Sequence, residues 1–211
     1  MTLTERQPLS RTRIAEAALV FIDEHGLDAL SMRKLGATLG VEAMSLYNHV
    51  ANKADLLAAV SDALYAEVLA ALGHPEGDWK VHARALSHAY VQVANDHPSA
   101  VGLPIEPPVD SVEGREFDAR IVAAAGLMTD DLRIGALLAT VSNWVLGTIV
   151  QEHGLIHRRG DDDAFGCPAL DSLSDAARQF REVADQLTAT ERFEEGLETV
   201  LAGLEARYFD R

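Results

Sequence analysis

The chain reads as all-α, an N-terminal three-helix module of helix-turn-helix type followed by a larger helical body. Three observations predict this. Apolar residues recur at spacings of three and four through most of the sequence, and no stretch shows the alternation of a half-buried strand. Ser, Asn or Asp stands before these stretches and Gly or Pro after them, the punctuation of helix starts and stops. Alanine is abundant and only 6% of residues are aromatic, which favours helices over sheets. About nine or ten helices are expected, with no internal repeat and no low-complexity tract.

The elements follow in order. Ser10 is placed to cap a first helix running to about His25, with Ile14, Ala17, Ala18, Phe21 and Ile22 as its apolar stripe. Gly26 stops it, and Leu27 and Leu30 fold a short loop back on the stripe. Ser31 opens a second helix to Leu39, with Met32, Leu35 and Leu39 on one face, and Gly40 ends it in a left-handed conformation. Glu42 to Val50 is expected as a third helix with Leu46 and Val50 turned inward. Two short helices across a tight turn are the helix-turn-helix pattern, whose second helix enters the DNA major groove. Asn52 caps a long fourth helix to about Leu72, which Gly73, Pro75 and Gly77 break.

A fifth helix covers about Asp78 to Asp96 and closes at Pro98, and Ser99 to Pro108 carries at most a helical turn. Further helices are expected over about 112–126, 130–153, 172–187 and 190–208. The stretch from Asp130 to His153 is apolar on most sides, which marks deep core or a subunit interface. The DNA module is placed at 1–53 and the regulatory body at 54–211.

Charge divides the chain at the same place. Residues 1–53 hold six of the 18 basic and six of the 33 acidic residues, so the whole net charge of −15 falls on the remainder. An acidic body repels phosphates and leaves one face to dock. The 211 residues, 48% hydrophobic and 24% charged, suffice for one large or two small domains. No apolar run reaches the ~18 residues that span a membrane. The first residues, MTLTERQPLSRTR, have no apolar stretch of the signal-peptide kind. Cys167, a single cysteine, forms no internal disulfide and reads as a packing or loop residue. A reducing, cytoplasmic location and no membrane partner are expected.

The DNA-reading residues follow from the motif. Ser31, at a helix N-terminus, offers its hydroxyl and backbone N–H to a phosphate. Arg33 reaches toward a base edge, guanine above all, and Lys34 toward a phosphate. On the reading helix, Ala43, Met44, Ser45, Tyr47 and Asn48 project outward while Leu46 packs inward.

The block RIAEAALVFIDEHGLDALSMRKLGATLGVEAMSLYNHVANKADLL, from Arg13 to Leu57, resembles the tetracycline-repressor (TetR) family in order and spacing. One departure is Gly36 before Ala37, where the family more often has alanine first. RFEEGLETVLAGLEAR, from Arg192 to Arg207, looks like the closing helix of the tetracycline-repressor subgroup. The resemblance implies an all-α homodimer that binds a palindromic double-stranded DNA operator and is released by a small-molecule effector in the C-terminal domain. It also implies that Tyr47, His49 and Lys53 contact phosphates. Ala43 and Met44 stand where some relatives read bases with polar side chains or proline; both are apolar and suit thymine methyl groups.

For the effector, helical proteins bind small molecules between helices, in apolar pockets with a few placed polar groups. Tyr65, His88, Tyr90, Gln92, Phe117, Asn143 and Trp144 have that character, and an apolar or aromatic molecule is expected. Asn143 and Trp144 interrupt an otherwise apolar helix, where a buried polar group needs a partner. The tetracycline repressor holds its drug with a magnesium ion partly bound by histidine. His97, or His153 and His157 with Asp161 to Asp163, invite comparison, but no spacing is diagnostic and no metal or cofactor is assigned. The chain holds no G-x-S-x-G, H-E-x-x-H, G-x-G-x-x-G or P-loop, so an enzyme is the weaker reading. The same residues are also compatible with an activator, with a regulator that needs no ligand, and with an interaction module that no longer binds DNA.

Overall fold

A computed structural model of the chain describes residues 8–103, 132–153 and 186–209. Among the described residues are seven α-helices and no strand. They are α1 (Arg11–His25), α2 (Met32–Leu39), α3 (Ala43–Leu46), α4 (Lys53–Leu72), α5 (Trp79–Asp96), α6 (Leu132–Glu152) and α7 (Ala189–Tyr208), with a 3-10 turn at Leu27–Ala29. The helices expected over 112–126 and most of 172–187 lie outside these residues.

The described residues form two compact units, 8–76 with 88–103, and 77–87 with 132–153 and 186–209. In the first, α1 packs along α4. Ile14, Ala18 and Ile22 of α1 and Leu56, Val60 and Leu64 of α4 have no more than traces of surface left to water. Side chains of this size contribute about 1.5–3 kcal/mol each on burial.

Caps set the helix starts. The Ser10 hydroxyl oxygen accepts from the Arg13 N–H, Ser31 from Lys34, and the Asn52 side chain from Asp55. Each satisfies a backbone donor that the first helical turn leaves orphaned. Gly40 ends α2 at φ 66° and ψ 36°, the left-handed geometry expected of it.

The third helix is shorter than the expected Glu42 to Val50. It spans Ala43–Leu46, and Tyr47 to His49 form a turn. The His49 N–H bonds back to Leu46 O at 2.9 Å and Asn48 N–H to Ser45 O at 3.4 Å, so the chain tightens to a three-residue repeat. Leu46 and Val50 are both buried, at 0% and 1% exposure. The Val50 N–H also bonds to Leu46 O at 3.0 Å, so this turn closes just ahead of the Asn52 cap of α4.

In the second unit α6 lies along α7. Leu137, Val141, Val145 and Ile149, every fourth residue of α6, are buried, as are Phe193, Leu197, Leu201 and Leu204 of α7. Trp144 rests on Phe193 with ring centroids 5.2 Å apart. Gly196 lies under the same indole, close enough that a Cβ there would overlap the ring. The start of α5 joins this unit through Lys80–Glu205 and Arg84–Glu198 ion pairs and a Trp79–Phe209 stack at 4.8 Å. A Thr188-x-x-Glu191 capping box starts α7. No helix among the described residues is long and apolar enough to cross a membrane.

Candidate DNA-reading interface

The reading helix is held from behind and open in front. Leu46 and Val50 anchor it in the core, while Met44 is 74% exposed and Tyr47 44%. A thioether and a phenol kept in water on one short element are unusual for a folded surface and suit a partner that covers them. Behind α3, Gly36 of α2 lies so near that a Cβ would stand 2.9 Å from Val41 O and 3.2 Å from Ala43 N. Glycine there sets how closely the two helices approach.

None of the residues expected to touch DNA is buried. Arg33, Lys34, Met44, Tyr47, Asn48 and Lys53 are exposed, and Ser31, Ala43, Ser45 and His49 are partly so. Ser31 spends its hydroxyl oxygen on the Lys34 N–H at 3.3 Å and keeps its O–H for an outside acceptor. Arg33, Lys34 and Lys53 enter no ion pair among the described residues. Within those residues their charges are left for an outside partner.

The N-terminus of α4, which carries Lys53, is tied down by an arrangement that sequence reading missed. The Asp55 carboxylate accepts the Ala51 N–H at 2.7 Å and pairs with the Arg11 guanidinium at 2.8 Å. Arg11 also donates to the Asp55 carbonyl at 3.2 Å. The Ala51 hydrogen bond, then the Arg11 contact, hold the Asp55 carboxyl below its ordinary value. Asp55 was legible as a first-turn acid, but its partner lies 44 residues away and left no local signal.

The residues expected at an effector site divide between the two units. Tyr65, His88, Tyr90 and Gln92 belong to the first, and Asn143 and Trp144 to the second. Tyr65 is 2% exposed and Tyr90 partly buried, whereas His88 and Gln92 are exposed. Phe117 lies outside the described residues. Asn143 is exposed, so it is not the buried amide in need of a partner that its apolar neighbours suggest. The indole of Trp144 is occupied by α7. Among the described residues no cluster of His, Cys, Asp or Glu is arranged to hold a metal ion. His157 and Asp161 to Asp163 fall outside them.

Residues 14–60 match the family described as bacterial regulatory proteins, tetR family. Residues 73–208 match the tetracyclin repressor-like C-terminal domain. The class A tetracycline repressor protein from transposon 1721 of Escherichia coli is 28% identical, over 97% of this chain and 93% of that protein. An HTH-type transcriptional regulator of Saccharopolyspora erythraea is 34% identical, over 68% of this chain and 61% of that protein. Among solved structures, the TetR family protein ActR of Streptomyces coelicolor, in complex with actinorhodin, superposes with a TM-score of 0.71 at 28% identity. That match covers 97% of this chain and 99% of ActR. An open reading helix, unspent cations around it and both halves of the sequence lead to one assignment: the chain belongs to the tetR family of bacterial regulatory proteins and is a ligand-responsive, DNA-binding transcriptional regulator rather than an enzyme.

Proposed function

We propose that the protein is a repressor that binds a palindromic operator as a homodimer in the cytoplasm and leaves it when a small apolar or aromatic molecule binds the C-terminal body. The observation that carries the DNA reading is α3 with the turn that follows it, Leu46 and Val50 in the core and Met44, Tyr47 and Asn48 in water. Residues 1–53 serve as the DNA module and 54–211 as the effector-binding and dimerising body. Arg33 takes a base edge, Met44 and Ala43 face thymine methyl groups, and Ser31, Lys34, Tyr47, His49 and Lys53 hold phosphates. Ser45 and Asn48 complete the reading face.

Dimerisation is assigned to α6 and α7, which with their symmetry mates make a four-helix bundle. Leu146 on α6 is 39% exposed, and Gly135, Gly147 and Gly203 have no neighbour within 4 Å of where a Cβ would stand, which supports close approach of a second copy. The effector class rests on the apolar character of Tyr65, Tyr90 and Phe117 and on a relative solved with actinorhodin. Two reading helices must stand about 34 Å apart to enter successive major grooves. An effector that moves α4, the helix leading from Lys53 into the body, changes that spacing. It shifts the balance only by its difference in affinity for the two arrangements.

Selection of bound sequences from random duplex DNA at moderate salt tests this reading. A palindromic consensus is expected, lost on double replacement of Arg33 and Tyr47 by alanine with dimerisation intact. Binding that survives the double replacement would overturn the docking of α3.

A further inference from the structure

One densely paired charged group of the first unit lies outside the DNA face. His97 stands at the end of α5, its side chain 16% exposed, with one carboxylate on each ring nitrogen. Nδ1 lies 2.8 Å from Asp23 Oδ2 near the end of α1, and Nε2 lies 2.8 Å from Glu67 Oε2 on α4. An imidazole bonded to two carboxylates at once donates from both nitrogens, which only the imidazolium does. Asp23 leans on this contact, since its Oδ1 is buried with no hydrogen-bond partner among the described residues.

The same segment has an apolar attachment. After His97 the chain turns through Ala100 N–H to His97 O and Leu103 N–H to Ala100 O, at 2.9 and 2.8 Å. Ala100 and Leu103 are buried, and Leu27, in the turn that follows α1, faces Gly102. The segment from His97 to Leu103 therefore grips the DNA module at two points, one apolar and one ionic. The apolar one is indifferent to pH and the ionic one is not.

We propose that His97 is a positioning residue for DNA binding: when protonated it pins α1 of the reading module and α4, the helix leading out of it, to the end of α5, and operator affinity is linked to that proton. The inference rests on the regulator reading above. Asp23 from α1 and Glu67 from α4 are the charged groups acting on the ring, and Asp96, its neighbour on α5, is exposed. Burial disfavours the imidazolium, but the two carboxylates outweigh it and raise His97 above its ordinary 6.5. The clamp is therefore complete below about pH 6.5 and is lost as pH climbs through the raised value. The neutral ring can donate to only one carboxylate, and the other then faces a lone pair. Pinning the module in advance removes an ordering cost from docking, so affinity is higher with the clamp closed.

The test compares the full-length wild type with H97Q between pH 6 and 8, reading amide exchange at residues 24–29 and affinity for a selected duplex. The wild type is expected to lose protection with rising pH and to lose affinity about two- to five-fold more than H97Q, the equivalent of one ion pair. His49, in the DNA face itself, is the same in both proteins, so the comparison isolates His97. E67Q, altered at an exposed position, is expected to fold normally and to move the wild-type midpoint to lower pH, which keeps the test open should H97Q misfold. Identical profiles overturn the proposal, and so does a difference in exchange without one in affinity. A wild type that binds no duplex at any pH sinks the regulator reading instead, while the exchange profile still reports on the clamp.

Discussion

Arg33 and Lys34 are neighbours with the same charge and exposure, and they are assigned different tasks on DNA. Salt separates the two. Arg33→Ala is expected to cost about 1–3 kcal/mol and to relax preference at one base pair. Lys34→Ala should weaken all sequences alike and lower the slope of log affinity against log salt by about one. Titrations of selected and scrambled duplexes at several salt concentrations distinguish them, and equal losses on both duplexes from Arg33→Ala would reassign it to the backbone. Asp55 yields a second prediction. Its carboxyl is held below the ordinary 3.8 by the Ala51 N–H and Arg11, so the stability it contributes is present above that value and lost as pH falls through the lower one. The melting temperature of the wild type should therefore fall more steeply than that of Asp55→Asn below about pH 4. Parallel acid profiles would show that the Arg11 contact does not persist in solution.

Packing between elements decides what the short third helix does. Alanine in place of Gly36 gains about 1 kcal/mol of helix propensity. Its Cβ would meet the backbone oxygen of Val41 at 2.9 Å, and backbone yields less readily than the end of a side chain. Gly36→Ala is thus expected to show no net gain in melting temperature and a roughly fivefold loss of operator affinity, about 1 kcal/mol, as α3 is pushed from its seat. A stabilised variant with full affinity would mean that the approach of α2 and α3 has slack. At the start of α7 the deciding contact is local instead. Thr188 and Glu191 stand in the sequence at capping-box spacing, and that pair places the helix start at Ala189 rather than at the expected Thr190.

For the molecule as a whole, the acid-rich body and the charge-balanced module have separate work. The body carries the full net charge of −15, which discourages contact with DNA anywhere but the reading face. If α6 and α7 build the dimer, placing a carboxylate at the exposed Leu146 buries an unpaired charge in the interface. Leu146→Glu should convert the dimer to monomer in sedimentation and reduce operator affinity at least tenfold through loss of the second half-site. A dimer that tolerates the change would move the interface off that side of α6.

The sequence by itself determined the local features: the all-α class, the caps at Ser10, Ser31 and Asn52, the Gly40 turn, and the inward Leu46 and Val50 with outward Met44 and Tyr47. Each depends on residues within a turn or two of one another, and helix periodicity and capping chemistry act over that range. Only the tertiary structure decided that α3 stops at Leu46, that Arg11 holds the start of α4, that Trp144 lies against Gly196, and that His97 joins Asp23 to Glu67. These contacts join residues 30 to 74 positions apart in the case of the ion pairs. No periodicity encodes them, because they exist only where packed helices bring distant side chains together.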